Sequence, residues 1–358
     1  MLDILERYYE DGLILKQVHP YLDLTIWNYS PKCQFDRMWD EITIQCRGLV
    51  TNSEGVVVAR PFKKFKNYEE YLPEEIPNES FQIFEKMDGS LGILFFYKTE
   101  WVLATRGSFT SPQAIRGKEI LEKYRMTLLC DKDIYESIEY NDITNYTILG
   151  EIIYKSNRIV VDYGDNEDFV LLGMINKNDG SELPYETLLK VGKILNMPVV
   201  KRYDGITDFN IIKETISNDD EGRVLLFENG FRIKIKGKHY LHLHSIITKV
   251  SSRDIWEHLK YEKSLDDILD KVPDEFYKWV KKTEKDLFEK FYLIKNEIEN
   301  EFQLVINKKE FATKVRGKKY EHFLFKRLNS HSKEFNDMIW NKIYPDFSLP
   351  FKDKSLFD

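Results

Sequence analysis

The feature that most constrains this chain is a change of hydrophobic period near residue 245. Between about Ile42 and His244 the apolar residues fall in short runs broken by turn signals: ITIQCRGLVTN, GVVVARPF, LGILFFY, WVLATRGSF, YTILGEIIY, IVVDYG, FVLLGMI, RVLLF and FRIKIKG. Runs of this length, rich in β-branched and aromatic residues, read as strands. Between the last two, Glu228-Asn229-Gly230 reads as a tight hairpin whose central residues both take positive φ. Ser111–Asp131 and Pro184–Leu195 have helical spacing, so the first part of the chain is expected to be α+β, with antiparallel sheets. After His244 the pattern turns helical: Phe276, Trp279, Val280, Leu287, Phe291, Ile294, Ile298 and Phe302 recur at helical intervals, and Glu321–Leu328 and Lys333–Ile343 read as further helices. The expected division is an α+β domain over 1–244 and an all-α domain over 245–358, which suits 358 residues at ~150 per domain.

Composition then excludes several classes. No run approaches the ~18 consecutive apolar residues of a membrane span, and 32% of residues are charged, so an integral membrane protein is not expected. The opening MLDILERYYEDG carries acids where a secretory leader needs a basic segment and an apolar run, which points to the cytoplasm, that of the host for a viral protein. Cys33, Cys46 and Cys130 are too few and too far apart for a disulfide framework or a zinc pair, and read as buried spectators. The net charge of −7 argues against coating nucleic acid through bulk positive charge. Its distribution is uneven: 30 Lys+Arg against 39 Asp+Glu before Ser245, and 23 against 21 from Ser245 onward.

The segment richest in chemistry is Glu85-Lys86-Met87-Asp88-Gly89-Ser90. Alone, it also reads as a solvated turn between strands. Its companions give it weight: Arg47-Gly48, Arg60-Pro61-Phe62-Lys63-Lys64-Phe65-Lys66-Asn67, Arg106-Gly107-Ser108, Gly150-Glu151, Ser156-Asn157-Arg158-Ile159-Val160, Glu221-Gly222, and Lys234-Ile235-Lys236 with Tyr240. On Arg232–Lys236, strand alternation puts Arg232, Lys234, Lys236 and Lys238 on one face, with Ile233 and Ile235 on the other. Such a row reads either as an edge strand guarded by lysines or as cations facing a phosphate. Glu151, in the apolar run TILGEII, is costly to bury without a partner, so it either pairs with a core cation or lines a site.

In this order and spacing, the set resembles the bacteriophage RNA ligase 1 family of ATP-dependent RNA ligases, within the covalent nucleotidyltransferases, over roughly residues 40–245. The resemblance implies an adenylyltransferase domain and a three-step joining of RNA 5′-phosphate and 3′-hydroxyl ends, as in RNA or tRNA repair. Lys86 becomes the nucleophile that forms lysyl-AMP, with Asp88 of its motif, Lys234 and Lys236 as further catalytic residues. Lys234 and Lys236 meet the α-phosphate of ATP, and Glu151 meets the ribose. Glu221, with Glu151 and Asp274, helps hold Mg²⁺ or Mn²⁺. Arg47, Lys64 and Arg106 match residues that meet the triphosphate or the RNA phosphate, and each reads also as a surface cation; Val224 reads either as packing on adenine or as a core strand residue. Lys66 stands where relatives favour an aromatic residue, and Arg106 where they often carry lysine. A lysine that attacks phosphorus needs surroundings that lower its pKa from ~10.4.

The helical tail, in place of the OB-fold strands of DNA ligases and capping enzymes, favours the RNA ligase resemblance. Tyr240 and the basic stretch Lys308–Tyr320, with Lys314, Arg316, Lys318 and Lys319, are candidate RNA contacts; the stretch reads equally as a solvated face. His242 and His244 alternate on the strand reading, but a lone pair is weak evidence of a metal site. The expected partner is RNA, met by a monomer without a membrane. A DNA ligase or capping-type nucleotidyltransferase, or a non-catalytic nucleotide- or RNA-binding module, are the alternatives.

Overall fold

The computed structural model describes residues 1–124, 132–138, 141–157, 159–248, 250–269, 276–302, 308–329 and 332–348. Cys130, Arg158 and Asp274, singled out from the sequence, lie outside them. Two compact units emerge, Met1–His244 and Ser245–Asp358.

In the first unit the strands are β1 (Ile14–Val18), β2 (Leu24–Tyr29), β3 (Arg47–Asn52), β4 (Val57–Ala59), β5 (Phe81–Lys86), β6 (Ser90–Tyr97), β7 (Glu100–Thr105), β8 (Tyr146–Ile153), β9 (Asp168–Asn176), β10 (Arg202–Tyr203), β11 (Gly222–Phe227) and β12 (Arg232–Lys236). The helices are α1 (Leu2–Glu10), α2 (Pro31–Phe35), α3 (Pro112–Leu121), α4 (Lys132–Ser137), α5 (Tyr185–Leu195), α6 (Phe209–Glu214) and α7, which starts at Lys238 and runs to Thr248. Helix starts follow local chemistry: Ser30, Ser111 and Asp208 accept backbone amides of the first turns of α2, α3 and α6, and proline fills the first position of α2 and α3.

The strands form three four-stranded antiparallel sheets: β1-β2-β3-β4, β7-β6-β8-β9 and β10-β5-β11-β12. The sheet containing β8 is covered on both sides. One face packs Leu94, Ile148, Phe169 and Leu171 against Ile120, Leu121, Leu188 and Val191 of α3 and α5, and the other packs Ile93, Phe95 and Leu149 against Ile26, Val50 and Phe62. Burial on two faces explains why TILGEII and FVLLGMI read as unbroken apolar runs without alternation. The third sheet packs Ile83, Leu225, Phe227, Ile233 and Ile235 of one face against Ile212 of α6. A small cluster of Ile153, Val170 and Val200, with Phe84 and Met87 packed on it, joins it to the sheet of β8.

Three expectations change. The 228–230 hairpin has positive φ only at Gly230 (+82°): Phe227 O accepts from Gly230 N at 2.9 Å and Asn229 Oδ1 from Phe231 N at 2.8 Å, a three-residue loop with a left-handed glycine. Residues 159–164 run as a loop, because the amides of Val160 and Val161 are taken by the Asp88 carboxylate instead of by a neighbouring strand. His242 and His244 stand on α7, and Lys238 begins that helix, so neither the histidine pair nor Lys238 belongs to a strand face.

The second unit consists, among the described residues, of α8 (Ser252–Lys260), α9 (Asp266–Leu269), α10 (Tyr277–Glu301), α11 (Lys308–Val315), α12 (Glu321–Asn329) and α13 (Ser332–Lys342). Trp279, Val280, Leu287, Phe291 and Ile298 form the buried stripe of α10. Phe291 stacks on Trp340 at 4.8 Å, and Trp256 Nε1 donates to Trp340 O at 2.9 Å. Among the described residues, no helix is long and apolar enough to cross a membrane. Cys33 and Cys46 are fully buried, and burial pushes their thiols up to about 11 and about 12.

Gly150 tests the central packing. A Cβ there falls 2.2 Å from the Phe169 ring, enclosed between sheet and helices. Gly150→Ala is expected to cost ~1–3 kcal/mol of stability through overpacking, measured by urea unfolding.

Candidate active site

The geometry of the site begins with strand register. Gly222 pairs with Lys86 on one side and Lys236 on the other, and Val224 pairs with Phe84 and Lys234. Alternation therefore sets Phe84, Lys86, Gly222, Val224, Lys234 and Lys236 on one half-open face, while Ile83, Leu225, Ile233 and Ile235 go into the core behind. Gly222 is required for this approach: a Cβ there would lie 2.0 Å from the carbonyl oxygen of Ile235.

Glu221, 4% exposed, turns its carboxylate to that face. Its Oε1 lies 2.5 Å from Lys86 Nζ and 3.6 Å from Lys236 Nζ, so one acid serves two cations that would otherwise repel. Glu151 closes the other side, accepting the backbone N–H of Gly89 at 3.0 Å. Burial pushes its carboxyl up to about 8; Glu221 and Asp88 add to the rise, while Lys86 and Arg47 oppose it. Arg47 thus shares the field of Glu151, and its guanidinium lies 5.8 Å from the Phe65 ring centroid.

Lys64 and Arg106 meet at an aromatic residue that no sequence motif marks. Lys64 Nζ is 5.4 Å from the rings of both Tyr29 and Trp39, and Arg106 Nη1 donates to the Tyr29 hydroxyl at 3.2 Å. Tyr29 lies far upstream in β2, so only pairing of β2 with β3 brings it here. Lys66 Nζ lies 5.2 Å from the Tyr71 ring, and its carbonyl accepts from Lys234 N at 3.1 Å, which ties its loop to β12.

Two residues are corrected. Asp88 is buried, and its carboxylate accepts Val160 N, Val161 N and the Tyr240 hydroxyl, each at 2.8 Å. Its own amide donates to the hydroxyl of Tyr163 at 2.8 Å. A carboxylate satisfied by protein donors holds the turn after Lys86 in place and is not presented to a substrate. Tyr240, buried beneath it, is a strut for that turn and not an RNA contact. Tyr163 is likewise invisible in the sequence, since nothing in a loop tyrosine 75 residues from Asp88 signals the bond.

In the second unit half of the expected track of cations is paired with acids. Lys314 pairs with Glu310 at 3.3 Å, Lys318 with Glu301 at 3.8 Å and Lys319 with Glu297 at 2.9 Å, and Tyr320 is buried; Arg316 is exposed. Three of the six cations in the stretch are thus held in ion pairs with glutamates. No group of three His, Cys, Asp or Glu gathers to hold a metal among the described residues.

Tyr240→Phe separates strut from RNA contact. As a strut it removes a hydrogen bond to a buried carboxylate and is expected to cost ~1.5–3 kcal/mol in urea unfolding, whereas an RNA contact predicts unchanged stability.

Comparison with known proteins adds a family. The RNA ligase family profile matches residues 45–240, or 196 of 358. A putative bifunctional polynucleotide kinase/RNA ligase of Autographa californica nuclear polyhedrosis virus is 29% identical over 246 residues, 62% of this chain but 33% of the viral protein. The chain thus spans about a third of that relative. An RNA ligase of Rhodothermus phage RM378 is 24% identical over a 386-residue alignment, covering 89% of this chain and 84% of the phage protein. Among solved structures, a putative ATP-dependent DNA ligase from Aquifex aeolicus matches 83% of this chain and 81% of its own at 16% identity, with a TM-score of 0.49. Lys86, Glu151, Glu221, Lys234 and Lys236 all fall inside the segment matched by a family profile that spans more than half of the sequence, and the chain belongs to the RNA ligase family, of the phage RNA ligase 1 kind.

Proposed function

We propose that this protein is an ATP-dependent RNA ligase that joins 5′-phosphate and 3′-hydroxyl RNA ends, acting as a monomer in RNA or tRNA repair in the cytoplasm, that of the host for a viral source. The observation that carries the reading is the amine of Lys86, held 2.5 Å from Glu221 on a face shared with Lys234 and Lys236. Family membership supports it.

In this reading Lys86 Nζ attacks the α-phosphorus of ATP. The Lys86 ammonium first gives a proton to Glu221 Oε1 beside it; the freed amine then forms the P–N bond as the P–O bond to pyrophosphate breaks, and the second proton shed by the nitrogen passes to solvent. Lys234 and Lys236 face the non-bridging oxygens, where fixed positive charge stabilises the transition state without reorganisation. The AMP then moves to the RNA 5′-phosphate, and attack of the 3′-hydroxyl on that phosphate expels AMP. Phe84 and Val224 supply the apolar floor for the base, and Arg47, Lys64 and Arg106 the cations for the outer phosphates.

Glu221 and Glu151 would hold Mg²⁺ or Mn²⁺. Two carboxylates close enough for one to raise the other fit a hard cation whose shell is completed by phosphate and water. When bound, the ion supplies positive charge to the phosphates. The basic stretch of the second unit enters only if RNA displaces its exposed ion pairs.

The decisive experiment is incubation with α-³²P-ATP. A label that survives denaturation is expected on Lys86; a label from GTP would mean a capping-type enzyme, and none from either nucleotide a binding module. Circles from 5′-phosphorylated single-stranded RNA identify the ligase, and sealing confined to DNA would overturn the substrate.

The assigned roles also fix what substitutions should do. Lys86→Ala is expected to abolish labelling and ATP-dependent sealing, while sealing of RNA supplied already adenylated persists in part. Lys234→Ala and Lys236→Ala each remove one charge-assisted contact and are expected to slow adenylation about ten- to a hundredfold per soluble molecule, read by single-turnover labelling. Unchanged rates in both would remove the phosphate from this strand.

A further inference from the structure

The rear face of the site's sheet holds a buried charge that the chemistry above does not use. Arg223, 2% exposed, follows Gly222 in β11. Its Nη1 donates to Gly222 O at 2.8 Å, and its Nη2 to Asp220 Oδ2 at 2.8 Å and to Thr215 O at 3.1 Å. The guanidinium stacks 4.1 Å from the centroid of the Tyr203 ring, and its register partner is Glu85, the residue before Lys86. Its Nε is buried without a hydrogen-bond partner.

Burying a guanidinium costs free energy, and a well-packed apolar side chain of similar volume often serves stability equally well or better. What an apolar residue cannot do is hold three oxygens in a fixed fork. Those oxygens belong to Thr215, Asp220 and Gly222, and the last two are the chain neighbours of Glu221 on either side. Glu221 touches both Lys86 and Lys236 through one oxygen, so a small displacement of this segment opens both contacts together.

We propose that Arg223 is a positioning residue for lysine adenylation: by gripping the backbone and side chain on both sides of Glu221 from behind the sheet, it sets the carboxylate between Lys86 and Lys236. The inference rests on the ligase reading. Arg223 acts through Glu221 and touches neither nucleotide nor RNA.

The test compares wild type with Arg223→Lys, which keeps a cation but not the fork, and with Asp220→Asn, which weakens one arm of the grip at a half-buried position. All are assayed as full-length protein by single-turnover labelling with α-³²P-ATP, alongside thermal unfolding. Because ångström-scale misplacement of a reacting group costs up to about a hundredfold, Arg223→Lys is expected to lower the maximal adenylation rate at least about tenfold, with the ATP concentration for half-maximal rate within about threefold. Asp220→Asn is expected to move the rate the same way by about three- to tenfold, which keeps the proposal exposed if Arg223→Lys does not fold. Wild-type rates in Asp220→Asn, or a loss in Arg223→Lys confined to ATP affinity or explained by its unfolded fraction, would overturn the positioning role. Absence of any label on wild type would instead overturn the ligase reading itself.

Discussion

Everything at this site depends on how closely three strand backbones approach at Gly222. With no side chain there, β11 lies against β12 where a Cβ would strike the Ile235 carbonyl, and the same residue faces Lys86 across β5. The register sends lysines to the open face and isoleucines to the core, and a slip of one residue would reverse both. The apolar side of the sheet thereby fixes the polar side. Burial of Ile83, Leu225, Ile233 and Ile235 supplies the free energy that holds Lys86, Lys234 and Lys236 together against their mutual repulsion. Glu221 then neutralises the closest part of that repulsion.

Three carboxylates surround the nucleophile motif in three different environments, and their surroundings separate their roles. Asp88 is buried but meets three donors, and it stitches the turn after Lys86 to the 160–161 loop and to α7. Glu221 is buried against two ammonium groups. Glu151 meets one amide while facing two other acids, and its carboxyl rises accordingly. A phosphate or a divalent ion entering the site would change the field at Glu151, whereas the hydrogen-bond donors of Asp88 all come from the protein.

The second unit shows how little a basic run says without its neighbours. Six cations between Lys308 and Lys319 look like a phosphate track until the glutamates of α10 are seen opposite Lys318 and Lys319. Those acids occur at Glu297 and Glu301, one helical turn apart, and appear in the sequence as part of the polar face of a long amphipathic helix.

Local chemistry makes much of the protein legible in its sequence. Helix α5 begins after Pro184 and ends at a left-handed Asn196, and α10 follows its apolar stripe, because periodicity and end signals act over a few residues. The strand alternation of Arg232–Lys236 is readable for the same reason, and so is the chemistry of a lysine followed by Asp-Gly. Contacts between distant segments are not. That Asp88 is spent on amides 72 and 73 residues away, that Tyr240 sits beneath it on a helix, that Tyr29 gathers Lys64 and Arg106, and that Arg223 grips the segment around Glu221 are all decided by which strands and loops are brought together. A sequence records which side chains can carry charge, accept a proton or pack. Whether a given charge faces a substrate or is consumed inside the protein depends on partners that only the folded chain brings within hydrogen-bonding distance.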